Sequence, residues 1–131
     1  ENQKKDKAAM LARANQAVDK VAAEFTENLS DRVQDLEKAL HQNDHKKVVA
    51  MAYNLETEAS TFGWPRVTRL CKWLRKVFSG DYDHKPKAED VLSVFSALKL
   101  MVSDAKTPND KRDEDLFREL FPIMNKAISD F

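Results

Sequence analysis

The side chains best suited to chemistry are His41, His45, His84, Cys71, Asp81 and Asp83. An imidazole can accept a phosphoryl group, move a proton or ligate a metal. His41 and His45 stand four residues apart, a spacing that shares a metal on one helix face, but Asn43-Asp44 lies between them and reads as a turn. No third ligand stands near them. His84 follows Asp81-x-Asp83 in a loop that is too short for a calcium site. Cys71 lies on an apolar stripe and reads as a small buried hydrophobe rather than a nucleophile. There is no Gly-rich phosphate cradle and no Ser-His-Asp order. The ordinary reading of all three histidines is therefore an exposed polar residue at a helix end or loop, and the sequence implies no metal, no cofactor and no enzyme.

Two groups of residues could bind rather than react. Arg66, Arg69, Lys72 and Lys76 step by three, three and four, which aligns them on one side of a helix. Read plainly they form a solvated outer face; read functionally they guide an acidic partner. The second group is Lys46, Val49, Tyr53, Glu56, Thr57 and Ser60, which share another helix face with Trp64 capping it. Either Val49 and Tyr53 pack against the N-terminal helix, or they form a protein-docking patch ringed by charge.

Charge supports a local rather than a global field. Lys plus Arg and Asp plus Glu are both 22, so the net charge is zero. Residues 1–44 carry 7 basic and 9 acidic groups, residues 45–87 carry 9 and 4, and residues 88–131 carry 6 and 9, giving −2, +5 and −3. A neutral total with only Trp73 interleaved in the basic row argues against nucleic acid. One cysteine excludes a disulfide framework and Cys-rich zinc modules, and fits a reducing cytoplasm. No apolar run is long enough to span a membrane, and Glu1-Asn2-Gln3-Lys4-Lys5 is not a signal peptide. The missing initiator Met implies a domain cut from a longer chain.

These residues must be positioned by helices. The chain has 131 residues, 42% hydrophobic, which suffices for one core, and residues 1–62 contain neither Gly nor Pro. Leu11, Ala14, Val18, Val21, Phe25, Leu29, Val33, Leu36 and Leu40 recur every three or four residues and keep one stripe toward a core. The stripe crosses Thr26 to Asp31 in phase, so one long helix or two with a kink are both open. Val48, Ala52, Leu55, Ala59 and Phe62 form a second stripe, ended by Gly63-Trp64-Pro65. Val67, Leu70, Cys71, Leu74 and Phe78 form a third, and Val91, Val94, Phe95, Leu98 and Val102 a fourth. Leu116, Phe117, Leu120, Phe121, Met124, Ile128 and Phe131 mark a last segment that Pro122 kinks or divides. The fold class is all-α. We expect a single domain over 1–131: an antiparallel up-down four-helix bundle with helices near 26–42, 45–62, 65–79 and 88–105, covered by helical flanks at 6–25 and 112–131.

Residues 36–74 resemble the histidine-containing phosphotransfer (HPt) domain of bacterial phosphorelays. That family's pattern is Ala-His-x-Leu-Lys-Gly-Ser-Ala, an apolar residue and Gly, then Leu-x-x-Leu-Cys-x-x-Leu. Ala52, Leu55, Ala59, Phe62, Gly63, Val67, Leu70, Cys71 and Leu74 fall in register with it. The functional segment departs from it. Tyr53 stands where the family has its phosphoacceptor His, Glu56 replaces its Lys, Thr57 its Gly and Glu58 its Ser. A phenol lacks the imidazole nitrogen, and a carboxylate repels a phosphoryl group where an ammonium would hold it.

The resemblance thus implies a degenerate HPt domain that docks a receiver domain or histidine kinase module without carrying phosphate. Val49, Tyr53, Glu56, Thr57, Ser60, Trp64, Arg66, Arg69 and Lys72 would form the partner surface. It also implies that Tyr53→His would need Glu56→Lys and Thr57→Gly beside it to restore transfer. Two alternatives remain: phosphotransfer through a displaced histidine such as His45 or His84, and a structural or oligomerising helical module.

Overall fold

The structure, a computed structural model, describes residues 2–103 and 107–131. Its regular structure is all helix, with no strand among the described residues. The helices are α1 Asn2–His41, α2 His45–Thr61, α3 Pro65–Phe78, α4 Ala88–Val102 and α5 Asp110–Ala127.

Each break in the chain has a local cause. Asn43 takes φ 55°, in the left-handed region, and the Asp44 amide donates to the Ala39 carbonyl at 3.1 Å, which closes α1. The Asp44 side chain then accepts from the Lys47 amide at 3.2 Å and caps α2. Gly63 at φ 82° lets the Trp64 amide reach the Ala59 carbonyl at 2.8 Å, and Pro65 starts α3 at a position where its missing N–H costs nothing. Asn109 caps α5 by accepting from the Arg112 amide at 3.1 Å.

The core is drawn from one stripe of each helix. Phe25, Leu29, Val33, Leu36 and Ala39 of α1 meet Val48, Ala52, Leu55 and Ala59 of α2, with Leu70, Cys71, Trp73 and Leu74 of α3 and Val94, Phe95, Leu98 and Met101 of α4. Packing runs α1 to α2, α2 to α3, α3 to α4 and α4 back to α1, which closes a ring; α5 lies against α3 and α4. The α2–α3 pair is the most extensive contact. The Trp73 indole donates to the Met124 carbonyl at 3.0 Å and ties α5 to this core. The loop after α3 is fastened to the end of α5, where the Asp83 and His84 amides both donate to the Ala127 carbonyl.

Several expectations are corrected. Segments 6–25 and 26–42 form one continuous α1, because nothing between Thr26 and Asp31 interrupts the backbone hydrogen bonding. Its first half does not cover the bundle: Leu11 is 64% exposed and Val21 50%. The stripe runs past the end of the other helices, so its periodicity outlasts any core to meet it. Val18 belongs to that stripe, but its side chain lies outside the described part. Pro122 sits inside α5 without dividing it. Pro122 and Arg118 are both exposed, so the carbonyl that loses its helical partner opens to water. Helix α5 ends at Ala127, and residues 128–131 continue as non-helical chain with Ile128 buried. The expected end of the fourth helix at 104–105 falls outside the described residues.

Candidate functional site

The outward face of α2 carries Tyr53. The core positions Val48, Ala52, Leu55 and Ala59 turn inward, which leaves Tyr53, Thr57 and Ser60 exposed and Val49 and Glu56 half-buried. Tyr53 is 55% exposed and does not pack into the N-terminal helix. Its ring instead lies beneath Arg75 of α3, with the guanidinium carbon 5.8 Å from the ring centroid. The same guanidinium grips Glu56 through two bonds, Nε to Oε2 at 2.7 Å and Nη2 to Oε1 at 3.2 Å. This pairing holds Arg75 still more firmly protonated than usual, mainly through the hydrogen bond to Glu56. Thr57 turns its hydroxyl back to the Tyr53 carbonyl at 3.0 Å. One helical face therefore presents an aromatic ring, a shared guanidinium and a neutralised carboxylate.

Arg75 was not among the expected site residues. The signal lay in the turn: Tyr53 and Arg75 are equally far from Trp64 along the sequence, so a tight helical hairpin sets them opposite one another. Glu58, on the other side of α2, pairs with Arg32 of α1. Glu56 and Glu58 thus brace α2 against its two neighbours.

The basic row on α3 is placed differently from its expected role. Arg66 pairs with Glu114 at 3.2 Å and Asp110 at 3.6 Å, both on α5. The Arg69 guanidinium lies over the rings of both Phe117 and Phe131, at 5.1 and 4.9 Å from their centroids. Lys76 donates to the Asp130 carbonyl at 2.7 Å. Lys72 is half-buried. The alignment of these side chains follows from helix geometry as expected, but α5 and the C-terminal chain lie over the row and bind its charge. Trp64 is also not on the α2 face: it is 2% exposed and belongs to the core, since the turn that closes α2 folds it inward. Trp73, the one aromatic interleaved in the row, is buried too.

The remaining reactive side chains lie apart. His41 ends α1 and His45 begins α2, and both line an apolar groove of about 460 Å³ with Phe78, Tyr82 and Leu92. The His45 ring stands edge-on to Phe78, with centroids 5.1 Å apart. His84 is exposed in the loop after α3. Cys71 is fully buried, and burial pushes its thiol up to about 12, so it is no nucleophile at neutral pH. Among the described residues no group of three or more His, Cys, Asp or Glu could hold a metal ion, and no helix is long and apolar enough to cross a membrane.

No curated protein and no solved structure matches the chain. A model of the Hpt domain matches residues 20–107, from the middle of α1 to the segment that precedes α5. This match covers about two thirds of the chain and takes in the second half of α1, all of α2, α3 and α4, and the Tyr53 face; the chain belongs to the Hpt domain family.

Proposed function

We propose that this protein is a phosphate-silent Hpt domain that docks a receiver domain or histidine kinase module through the Tyr53 face of α2. The observation that carries this reading is Tyr53 itself, an exposed ring where the resemblance places the phosphoacceptor imidazole. A phenol on that face supplies contact area but no nitrogen nucleophile, and Tyr is well suited to protein contacts because it combines an apolar ring with a polar tip. His45, the histidine on the same helix, begins it two turns earlier, roughly 12 Å along the axis. The ring of contacts among α1, α2, α3 and α4 supports the up-down antiparallel four-helix arrangement, and the chain 1–131 acts as one domain on this reading. A cytoplasmic setting goes with such a partner. Of the surface expected from the sequence, Val49, Tyr53, Glu56, Thr57 and Ser60 remain in the proposal and Arg75 joins them. Trp64 leaves it because it is buried, and Arg66 and Arg69 because they bind α5.

The ion pair changes how the silence would be undone. Glu56 is already neutralised by Arg75, and Glu56→Lys would set an ammonium against that guanidinium. Glu56→Gln instead releases the Arg75 charge beside position 53. Transfer of labelled phosphate from a receiver domain charged with labelled acetyl phosphate tests this. The parent should stay unlabelled, Tyr53→His should label weakly, and Tyr53→His with Glu56→Gln should label more. Labelling of the parent on any histidine overturns the reading.

A further inference from the structure

At one end of the bundle the helices leave a groove that their own connection does not fill. Helix α1 stops at His41, α3 stops at Phe78, and α4 does not begin until Ala88. Residues 79–87 cross this gap, but they are tied to the end of α5: the Asp83 and His84 amides donate to the Ala127 carbonyl, and Ser129 donates to the Asp83 carboxylate. Helix α5 packs on α3 and α4 and not on α1 or α2, so the loop is drawn away from the α1–α2 turn. What it leaves there is the groove of about 460 Å³ that His41 and His45 line. That volume falls within the range of about 300–1,000 Å³ typical of small-molecule sites. Its walls are apolar. Leu40, Val77, Phe78, Tyr82 and Val91 pack on the core beneath it, and Leu92 on its wall is 51% exposed.

The charge around these walls selects the ligand. His41, His45 and Lys85 line the groove, and among the described residues that line it none is Asp or Glu. The acids that neighbour it in sequence are engaged or face elsewhere. The Asp44 carboxylate caps the Lys47 amide, Asp81 pairs with Lys76 at 4.0 Å, and Asp90 lines an adjoining cleft with Lys126, Lys85 bordering both. Glu89 is exposed and lines neither. We propose that the groove binds a small amphipathic carboxylate, with its apolar chain against Phe78, Tyr82 and Leu92 and its head group at Lys85 and the two imidazoles. A bare anion would leave the apolar walls wet, and an uncharged hydrocarbon would strip water from three donors without replacing it. The ring nitrogens of His41 and His45 can donate in the neutral as well as the charged form, and the Lys85 ammonium supplies one fixed charge. That set matches a single carboxylate; the guanidinium fork that suits a doubly charged phosphate is absent from the described lining. The groove opens at the start of α2, two turns from Tyr53, so this site does not rest on the docking reading.

Nuclear magnetic resonance of the full chain, titrated with octanoate beside 1-octanol and octyltrimethylammonium, tests this. Octanoate should bind one site, shift amides at residues 40–45 and 77–92, and bind about tenfold or more tighter than either of the other two. Equal affinity for octanoate and octanol, or for the cation, overturns the proposal. So do shifts centred on the exposed Met10, Leu11 and Val21 of α1, and groove amides that move on dilution without ligand, which would mark a second copy as the occupant. His45→Gln with Lys85→Glu changes two exposed side chains and should weaken octanoate about tenfold while leaving octanol unchanged. Leu92→Asp should abolish binding of both, with an unchanged near-ultraviolet signal from buried Trp64 and Trp73 showing an intact core. Octanoate binding that survives either variant with the core intact overturns the proposal.

Discussion

Two charged faces of neighbouring helices, that of α2 around Tyr53 and that of α3 around Arg69, look equally available in the sequence and end in opposite states. The α2 face stays open, its one cation over the ring already shared with Glu56. The α3 face is engaged by α5 and the chain after it, whose Glu114, Phe117 and Phe131 take up Arg66 and Arg69. The basic row of α3 is thus a binding surface, but what it binds is the chain's own C-terminal segment. The lesson is that helical spacing aligns charges without saying whether they meet solvent or another element.

The largest effect should come from the core that both faces share. Leu70→Ala removes a fully buried side chain at the α2–α3 contact and should cost about 2–5 kcal/mol in denaturant unfolding. It would disturb both faces together, so it sets the scale for the surface changes. Tyr53→Asp then separates the faces. It should weaken receiver or kinase binding by about tenfold or more, the loss of about 1.4 kcal/mol or more, while leaving the thermal midpoint unchanged. Isothermal titration beside a melting curve checks this, and a variant that binds normally would remove the open face from the account.

Arg69→Ala makes the opposite prediction. Losing its contacts over two rings should cost about 1–2 kcal/mol of stability and loosen α5, seen as faster amide exchange there, with partner affinity unchanged. If partner binding falls while α5 stays protected, the α3 row is a docking surface after all. The smallest effect is at the loop that α5 fastens. Hydrogen bonds from the Ser129 amide and hydroxyl hold the Asp83 carboxyl below the ordinary carboxylate range. A carboxylate depressed in the folded state contributes stability above its unfolded pKa, and that contribution fades as pH falls through the folded value. Asp83→Asn should therefore lower stability slightly at neutral pH and leave it unchanged below the folded value, which flattens the acid limb of the curve in denaturant unfolding followed against pH.

Much of the α2–α3 hairpin was legible because local rules act there without competition. Asn43-Asp44, Gly63 and Pro65 fall at the turns, and Val48, Ala52, Leu55, Val67, Leu70 and Leu74 are buried as their spacing requires. Tyr53 was legible as the odd residue in a familiar segment, whereas Trp64 was misplaced because an aromatic at a turn can fold inward or outward with equal ease. Arg75 was hidden because its meaning depends on a partner 19 residues away in sequence.

What the sequence determined by itself is everything fixed by neighbours three or four residues apart: an all-helical chain, its caps and turns and the apolar stripes, with a phenol at position 53 on the outward side of one of them. Those follow from backbone hydrogen bonding and side-chain period, which act within a few residues. The tertiary structure decided which stripes find a core and which charges find a partner. Leu11 and Leu29 share one periodic stripe, yet one is 64% exposed and the other 1%. The difference is set by where α2 and α4 end, because apolar surface leaves water only where another element arrives to cover it.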